Sequence, residues 1–324
     1  MNSTLISAIK RSKKLYQRLN RSKPRDSLQA PRTFDYVGQP ASDYIKEILS
    51  RPRPCMICRF GFNELQCVRT HLNIVQPESL LSKYLDFLRD RKGYFWWDEA
   101  ITKPIYELAG VFPPTANLLT KFAQLFLQDC REIDVLGSWL QSEREVRAFY
   151  PQAKTVMIED LEPYFHQNPW SEVLTGRKVL VIHPFVASIE SQYRKRKQLF
   201  RDERVLPEFE LMTLRAVQSH ALNPVPFDDW FEAFDSMCEQ INKIDFEVAI
   251  IGAGAYGFPL AAFIKRSGRQ AIHLGGAVQI LFGIWGSRWD AEPAISRLRN
   301  EHWVRPLPME TPPEYKRVEN GCYW

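Results

Sequence analysis

No stretch of this chain reaches the roughly 18 consecutive apolar residues that a membrane-spanning helix requires, so no transmembrane helix is expected in its 324 residues. The first residues lack the apolar core of a signal peptide. Six cysteines (Cys55, Cys58, Cys67, Cys130, Cys238 and Cys322) are too few for a disulfide framework in a chain of this length, and reduced thiols in the cytoplasm are expected. Cys55-Met56-Ile57-Cys58 has metal-site spacing. No second cysteine pair completes a zinc site, and the run reads more simply as a buried strand. No internal repeat or low-complexity tract is visible. Nothing resembles a base-reading module, so nucleic acid is not an expected partner.

Acidic residues are missing from one segment. Between Lys10 and Arg25 stand eight basic residues and no Asp or Glu, in a chain whose net charge is only +5. Residues 1–35 therefore read as a basic arm and linker. Leu5, Ile6, Ile9, Leu15, Tyr16 and Leu19 form an apolar stripe flanked by these charges. Two readings stand. The arm is a solvated terminus, or it is a helix lying on another protein or on an anionic membrane surface. The second places the protein peripherally at the inner face of the membrane.

What is present fits a folded α/β protein. With 45% hydrophobic and 25% charged residues, the chain can bury a core. After the arm, residues 36–150 are more helical. They begin with a helix over Tyr44–Ser50, the strand Cys55–Arg59 and a helix over Glu64–Leu72. Helical periodicity between Pro77 and Asp129 is interrupted by Tyr94-Phe95-Trp96-Trp97 and Pro113-Pro114. Short apolar runs then alternate with helical stretches: Ile133–Leu136, Thr155–Ile158, Lys178–Ile182, Phe209–Thr213, Phe246–Ile251 and Gln270–Leu274. This rhythm predicts an α/β fold with a largely parallel sheet flanked by helices, Rossmann-like, with residues 151–324 as the Rossmann-like region that carries a Gly-x-Gly-x-x-Gly motif. The Pro- and aromatic-rich tail, Asn300–Trp324, is expected to pack back against the cleft.

The strongest local signal is Gly252-Ala253-Gly254-Ala255-Tyr256-Gly257, a G-x-G-x-x-G sequence between an apolar strand and a helix ending near Gly268. Such glycines allow a tight turn, close approach of backbone to phosphate, and close helix–strand packing, and the helix N-terminus favours an anion. A dinucleotide site also needs an Asp or Glu at the end of the next strand. Here that strand ends in His273-Leu274-Gly275-Gly276, which counts against NAD and leaves nucleotide sugars and other diphosphates open. Gly275 and Gly276 are candidates for a second set of backbone donors or another tight turn. His183 ends the strand before Pro184-Phe185, where open α/β sheets bind ligands. It faces the ligand or is hydrogen-bonded within its loop. Gln192 is a weaker candidate in the following helix.

A second constellation is Arg59-Phe60-Gly61-Phe62-Asn63-Glu64, again strand, turn and helix. Glu64 is placed to act as a general base or to bind a divalent metal, with Arg59 available to a phosphate. From spacing alone, the simpler reading is that Glu64 complements the helix dipole and pairs with Arg59.

This Arg-Phe-Gly-x-x-Glu segment resembles the start of the GT-D-type glycosyltransferase fold, a bacterial family found in surface-glycan gene clusters. The resemblance extends over about residues 40–324, through Leu174–Phe185, Gly252–Gly257, Gln270–Ala277, Asn300–Pro306 and Glu319–Trp324. It implies transfer of a sugar from a nucleotide-sugar donor to a glycan or glycolipid acceptor, commonly with Mn²⁺ or Mg²⁺. The family's turn reads Arg-Phe-Gly-Asp-Gly-Glu. By position Glu64 matches the last glutamate and the predicted metal ligand, whereas Phe62 stands in place of the aspartate. Either another carboxylate completes the site (Asp98, Glu99, Glu159 or Asp160), or metal dependence or activity is lost. For activating the acceptor hydroxyl Glu64 is the first candidate and His183 the second, and Trp97, Trp285 and Trp289 are candidates for stacking on the sugar. A non-catalytic nucleotide-sugar-binding or scaffold protein is the alternative to an enzyme, with a dinucleotide-dependent oxidoreductase third.

Overall fold

A computed structural model describes residues 3–20 and 33–324. The basic residues Arg21, Lys23 and Arg25 lie outside the described residues. Seven strands, β1 (Cys55–Arg59), β2 (Val135–Ser138), β3 (Lys154–Met157), β4 (Lys178–His183), β5 (Glu210–Arg215), β6 (Val248–Ile251) and β7 (Gln270–His273), form one sheet in the order β3-β2-β1-β7-β6-β4-β5. Every pairing is parallel. Each strand expected from the sequence is present, displaced by at most two residues at either end.

The helices among the described residues are α1 (Ser3–Asn20), α2 (Gln39–Ser50), α3 (Phe62–Val75), α4 (Leu80–Leu88), α5 (Glu99–Glu107), α6 (Ala116–Asp129), α7 (Val186–Tyr193), α8 (Arg196–Leu199), α9 (Trp230–Asn242), α10 (Gly257–Arg266), α11 (Ala277–Leu281) and α12 (Pro293–Ser296). The long helical region after Pro77 divides into α4, α5 and α6, with the Tyr94–Trp97 and Pro113-Pro114 segments between them.

Alternation along each strand builds two cores. Met56, Cys58, Leu180, Ile182, Ala249 and Ile251 face α3, α5, α6, α9 and α10. Cys55, Ile57, Val179, Val181, Val248 and Ile250 face α2, α7, α8, α11 and the C-terminal tail. Strands covered on both sides read as unbroken apolar runs, and Val179-Leu180-Val181-Ile182 is wholly buried. The two regions distinguished in the sequence share this sheet: β1, from the first, hydrogen-bonds to β7, from the second.

Connections from β4 lead outward to β5, while those from β6 lead inward to β7. β4 and β6 stay paired to their ends, but the chain leaves them in opposite directions, and such a reversal of strand order opens a ligand crevice. His183 ends β4, Gly252 follows β6, Arg59 ends β1 and His273 ends β7. Helix α1 folds onto the body: Ile9 is buried against Phe87, Phe95 and Trp96, and Lys10 and Lys13 each lie 2.6 Å from a carboxylate, of Asp98 and Asp90. Leu15 and Leu19, by contrast, are 58% and 74% exposed.

Candidate functional site

A cavity of about 660 Å³ opens at the carboxyl ends of β1, β7, β6 and β4. It gathers both motifs. Arg59, Gly61, Glu64, His183, Gly252, Gly254, Gly275 and Gly276 all contribute to its wall, while Gly257 lies behind it.

Arg59 is the most informative of these. Its Nε and Nη2 donate to its neighbour's carbonyl, Phe60 O, at 3.2 and 3.0 Å. The guanidinium stacks over Trp139, 4.9 Å from the ring centre, and the Trp139 indole N–H donates to the same carbonyl at 2.9 Å. Burial, reinforced by the charge of Arg288, lowers its pKa; Tyr323 and Glu64 act in the other direction. Among the described residues no carboxylate forms an ion pair with it, so the expected Arg59–Glu64 pair is not formed. A half-buried cation without a counterion costs free energy that an anionic ligand would recover.

Glu64 is the third residue of α3, and its carboxylate folds back over Gly61, into the space a Cβ would occupy there. A side chain at position 61 would displace it. Burial raises the Glu64 pKa, opposed by its own N–H and by Arg59.

The donor set does not fit the two-carboxylate metal pattern. The Phe62 ring packs against the core. Asp98 caps α5 and pairs with Lys10. Glu99 is not in the cavity wall, and Glu159 and Asp160 face a neighbouring cavity. Among the described residues no three His, Cys, Asp or Glu side chains converge to hold a metal ion.

His183 is 4% exposed. Its Nδ1 accepts the Phe185 N–H at 3.0 Å, which places the ring proton on Nε2. Burial, then His220, depresses its pKa to about 3. It is thus a neutral N–H donor toward a ligand oxygen, a role it fits better than that of a base. Gln192 is structural: its Nε2 donates to Gly283 O at 3.2 Å and His302 O at 2.9 Å.

The glycine loop is built for close approach. A Cβ at Gly252 would lie 2.6 Å from the Gly275 carbonyl oxygen and 2.7 Å from His183 Cδ2. Gly254 has φ +51° and Gly275 φ +61°, both left-handed. Two loop donors are already used: Gly252 N–H binds Ile182 O at 2.9 Å, and Ala255 N–H binds Ala109 O at 3.2 Å. The N–H groups of Ala253 and Gly254 have no backbone acceptor among the described residues, and they are the donors left for a phosphate.

Several wall residues have no sequence signal of their own: Trp139, His220, Arg288 and the tail residues Tyr323 and Trp324. The tail does pack against the cleft as expected, and the Tyr323 hydroxyl accepts from Arg288 Nη1 at 2.9 Å. Of the predicted stacking tryptophans, Trp289 reaches a cavity. Trp97 packs in the core, and Trp285 is buried with its indole N–H on Asp290 at 2.8 Å.

Fold and cleft together define a doubly wound, all-parallel α/β protein with a ligand-sized site at the carboxyl edge of its sheet. Comparison with protein-family models, curated proteins and solved structures returned no match.

Proposed function

We propose that the protein is a glycosyltransferase that moves a sugar from a nucleotide-sugar donor to a glycan or glycolipid acceptor in surface-polysaccharide biosynthesis. The observation that carries this reading is the uncompensated Arg59 guanidinium beside the Gly252–Gly257 loop, in a cavity of about 660 Å³. Such a site suits a diphosphate. β7 ends without the carboxylate that a dinucleotide ribose needs, which disfavours the oxidoreductase reading.

In the proposed reaction the acceptor hydroxyl oxygen bonds the anomeric carbon and gives its proton to Glu64. The bond from that carbon to the phosphate oxygen breaks, and its electron pair leaves with the nucleoside diphosphate. Arg59, the N–H groups of Ala253 and Gly254 and His183 Nε2–H stabilise the departing charge. Because the residues present do not fit the two-carboxylate metal pattern, no step is assigned to a metal ion.

Phe62 favours one other reading, a non-catalytic nucleotide-sugar-binding or scaffold protein of a glycan-biosynthesis complex. Release of nucleoside diphosphate from UDP-, GDP- or dTDP-sugars, or of CMP from CMP-sugars, separates the two. Turnover supports the enzyme, and binding without turnover supports the scaffold. The outer stripe of α1 supports peripheral attachment to an anionic membrane: Leu15 and Leu19 are exposed beside Arg11, Lys14 and Arg18.

A further inference from the structure

A second cavity, of about 940 Å³, adjoins the first, and both have Arg59, Trp139, Gly276, Arg288 and Tyr323 in their walls. Its remaining wall comes from Gly38 and Gln39, the segment after β3, Leu274 and the α11–α12 region. The chemistry there differs. The first cavity carries neutral histidines, glycine backbone and an unpaired arginine, with two carboxylates, Glu64 and Glu319. In the second, Glu159, Asp160, Glu162 and Glu292 supply four carboxylates, and both arginines of its wall belong to the boundary with the first.

These carboxylates are unequally engaged. Asp160 accepts the Gly38 N–H at 3.0 Å, and one oxygen of Glu162 takes the Tyr164 hydroxyl. The other Glu162 oxygen has no hydrogen-bond donor among the described residues. Beside them Phe165 is 40% exposed and lines the same cavity. Its partner, Tyr164, packs edge-on with ring centres 4.8 Å apart, which fixes the platform.

Acceptor oxygens next to an exposed aromatic face recognise hydroxyls on one side of a ligand and C–H groups on the other. The other carboxylates of this wall, Glu159, Asp160 and Glu292, disfavour an anion. We infer that the second cavity is the acceptor site and takes a neutral sugar, with hydroxyls on Glu162 and Glu292 and a ring face on Phe165. Donor phosphates stop at the Arg59–Arg288 boundary, and the reacting hydroxyl passes through it toward the first cavity. This assignment rests on the transferase reading for the word acceptor. The existence of a neutral-sugar site does not.

The test is saturation-transfer NMR on the full-length protein with glucose, galactose and N-acetylglucosamine, against glucuronic acid and N-acetylneuraminic acid, with and without saturating UDP. Neutral sugars are expected to bind, with UDP present as well as absent, and anionic sugars not. Phe165→Ala should weaken neutral-sugar binding about tenfold, the scale of one lost aromatic contact, and leave UDP binding unchanged. Glu292→Gln, at an exposed position that leaves the fold intact, should weaken it as well. Neutral-sugar binding that ignores both substitutions, equal binding of glucuronic acid, or UDP binding with no sugar binding would each overturn the assignment. Sugar binding that depends on Phe165 in a protein that binds none of UDP, GDP, dTDP and CMP would support the cavity and remove the transferase reading.

Discussion

The imidazole of His273, at the end of β7, occupies the space that a side chain at Gly257 would need, with Cδ2 at 2.6 Å from the position of a Cβ. The third glycine of the loop is therefore fixed by helix–strand packing, and only the first two line the cleft. Gly257→Ala should cost about 1–3 kcal/mol, the range for overpacking a filled core. His273→Ala should relieve the clash, so the double variant is expected to lose less stability than the two single losses added together. Urea denaturation of the four proteins checks this, and strict additivity would show that the contact carries no strain.

Glu310, from the C-terminal tail, is buried against the start of α7. Its carboxylate accepts the N–H groups of Ala187 at 2.8 Å and Ser188 at 3.3 Å, together with the Ser188 hydroxyl. It supplies the negative charge that a helix N-terminus favours and pins the tail that carries Tyr323 and Trp324 into the cleft. Glu310→Ala should lower stability by about 1–3 kcal/mol through unsatisfied donors. A rise in protease sensitivity of the tail should accompany it.

Buried titratable groups pull the pH dependence in opposite directions. His183, His220 and His273 are held down to about 3, 4 and 3 by burial, with His220's charge and Arg59 adding to the shifts of His183 and His273. Between those values and about 6.5 the unfolded chain binds the extra protons, so each histidine removes stability as pH falls. Glu162 is raised to about 7, first by burial and then by Glu159, against the Tyr164 hydrogen bond and Arg59. Its folded form holds the proton from about 4.5 to 7, so its contribution is lost as pH rises through that window. Glu162→Gln should therefore steepen the rise in melting temperature between pH 5 and 6.5, and His273→Gln should flatten it. Parallel profiles for wild type and both variants would contradict the assigned shifts.

Helix α1 has an inner and an outer side. Ile9→Asp should detach the inner side from Phe87, Phe95 and Trp96 and open the Lys13-Lys14 bond to trypsin. On the outer side, replacing Leu15 and Leu19 with Ser should reduce co-sedimentation with phosphatidylserine vesicles without changing the melting temperature. Equal sedimentation would remove the membrane role.

How far the sequence is legible depends on the range of the interactions. The inner strands were readable because a strand covered on both faces is an unbroken apolar run, as at Val179–Ile182, whereas the half-buried edge strands β3 and β5 were readable from the alternation of short apolar runs with helical stretches. The glycine loop was readable because backbone geometry demands particular residues at fixed spacing. Arg288 and His220 carry no such local signature: tertiary folding brings them to the cleft from segments distant in the chain. The Arg59–Glu64 pair expected from spacing fails for a steric reason, because Gly61 lets the Glu64 carboxylate fold over the turn while Arg59 stacks on Trp139. No periodicity encodes that choice.

The proposed function requires Arg59 to hold the diphosphate of a sugar nucleotide. Calorimetric titration of wild type and Arg59→Ala with UDP, GDP and their sugar derivatives tests it most directly. Wild type should bind one nucleotide class, and Arg59→Ala should lose at least about tenfold in affinity, the scale of one charged hydrogen-bonding group, with its melting temperature maintained or raised. Equal affinity in the two proteins, or no nucleotide binding by either, would contradict the account.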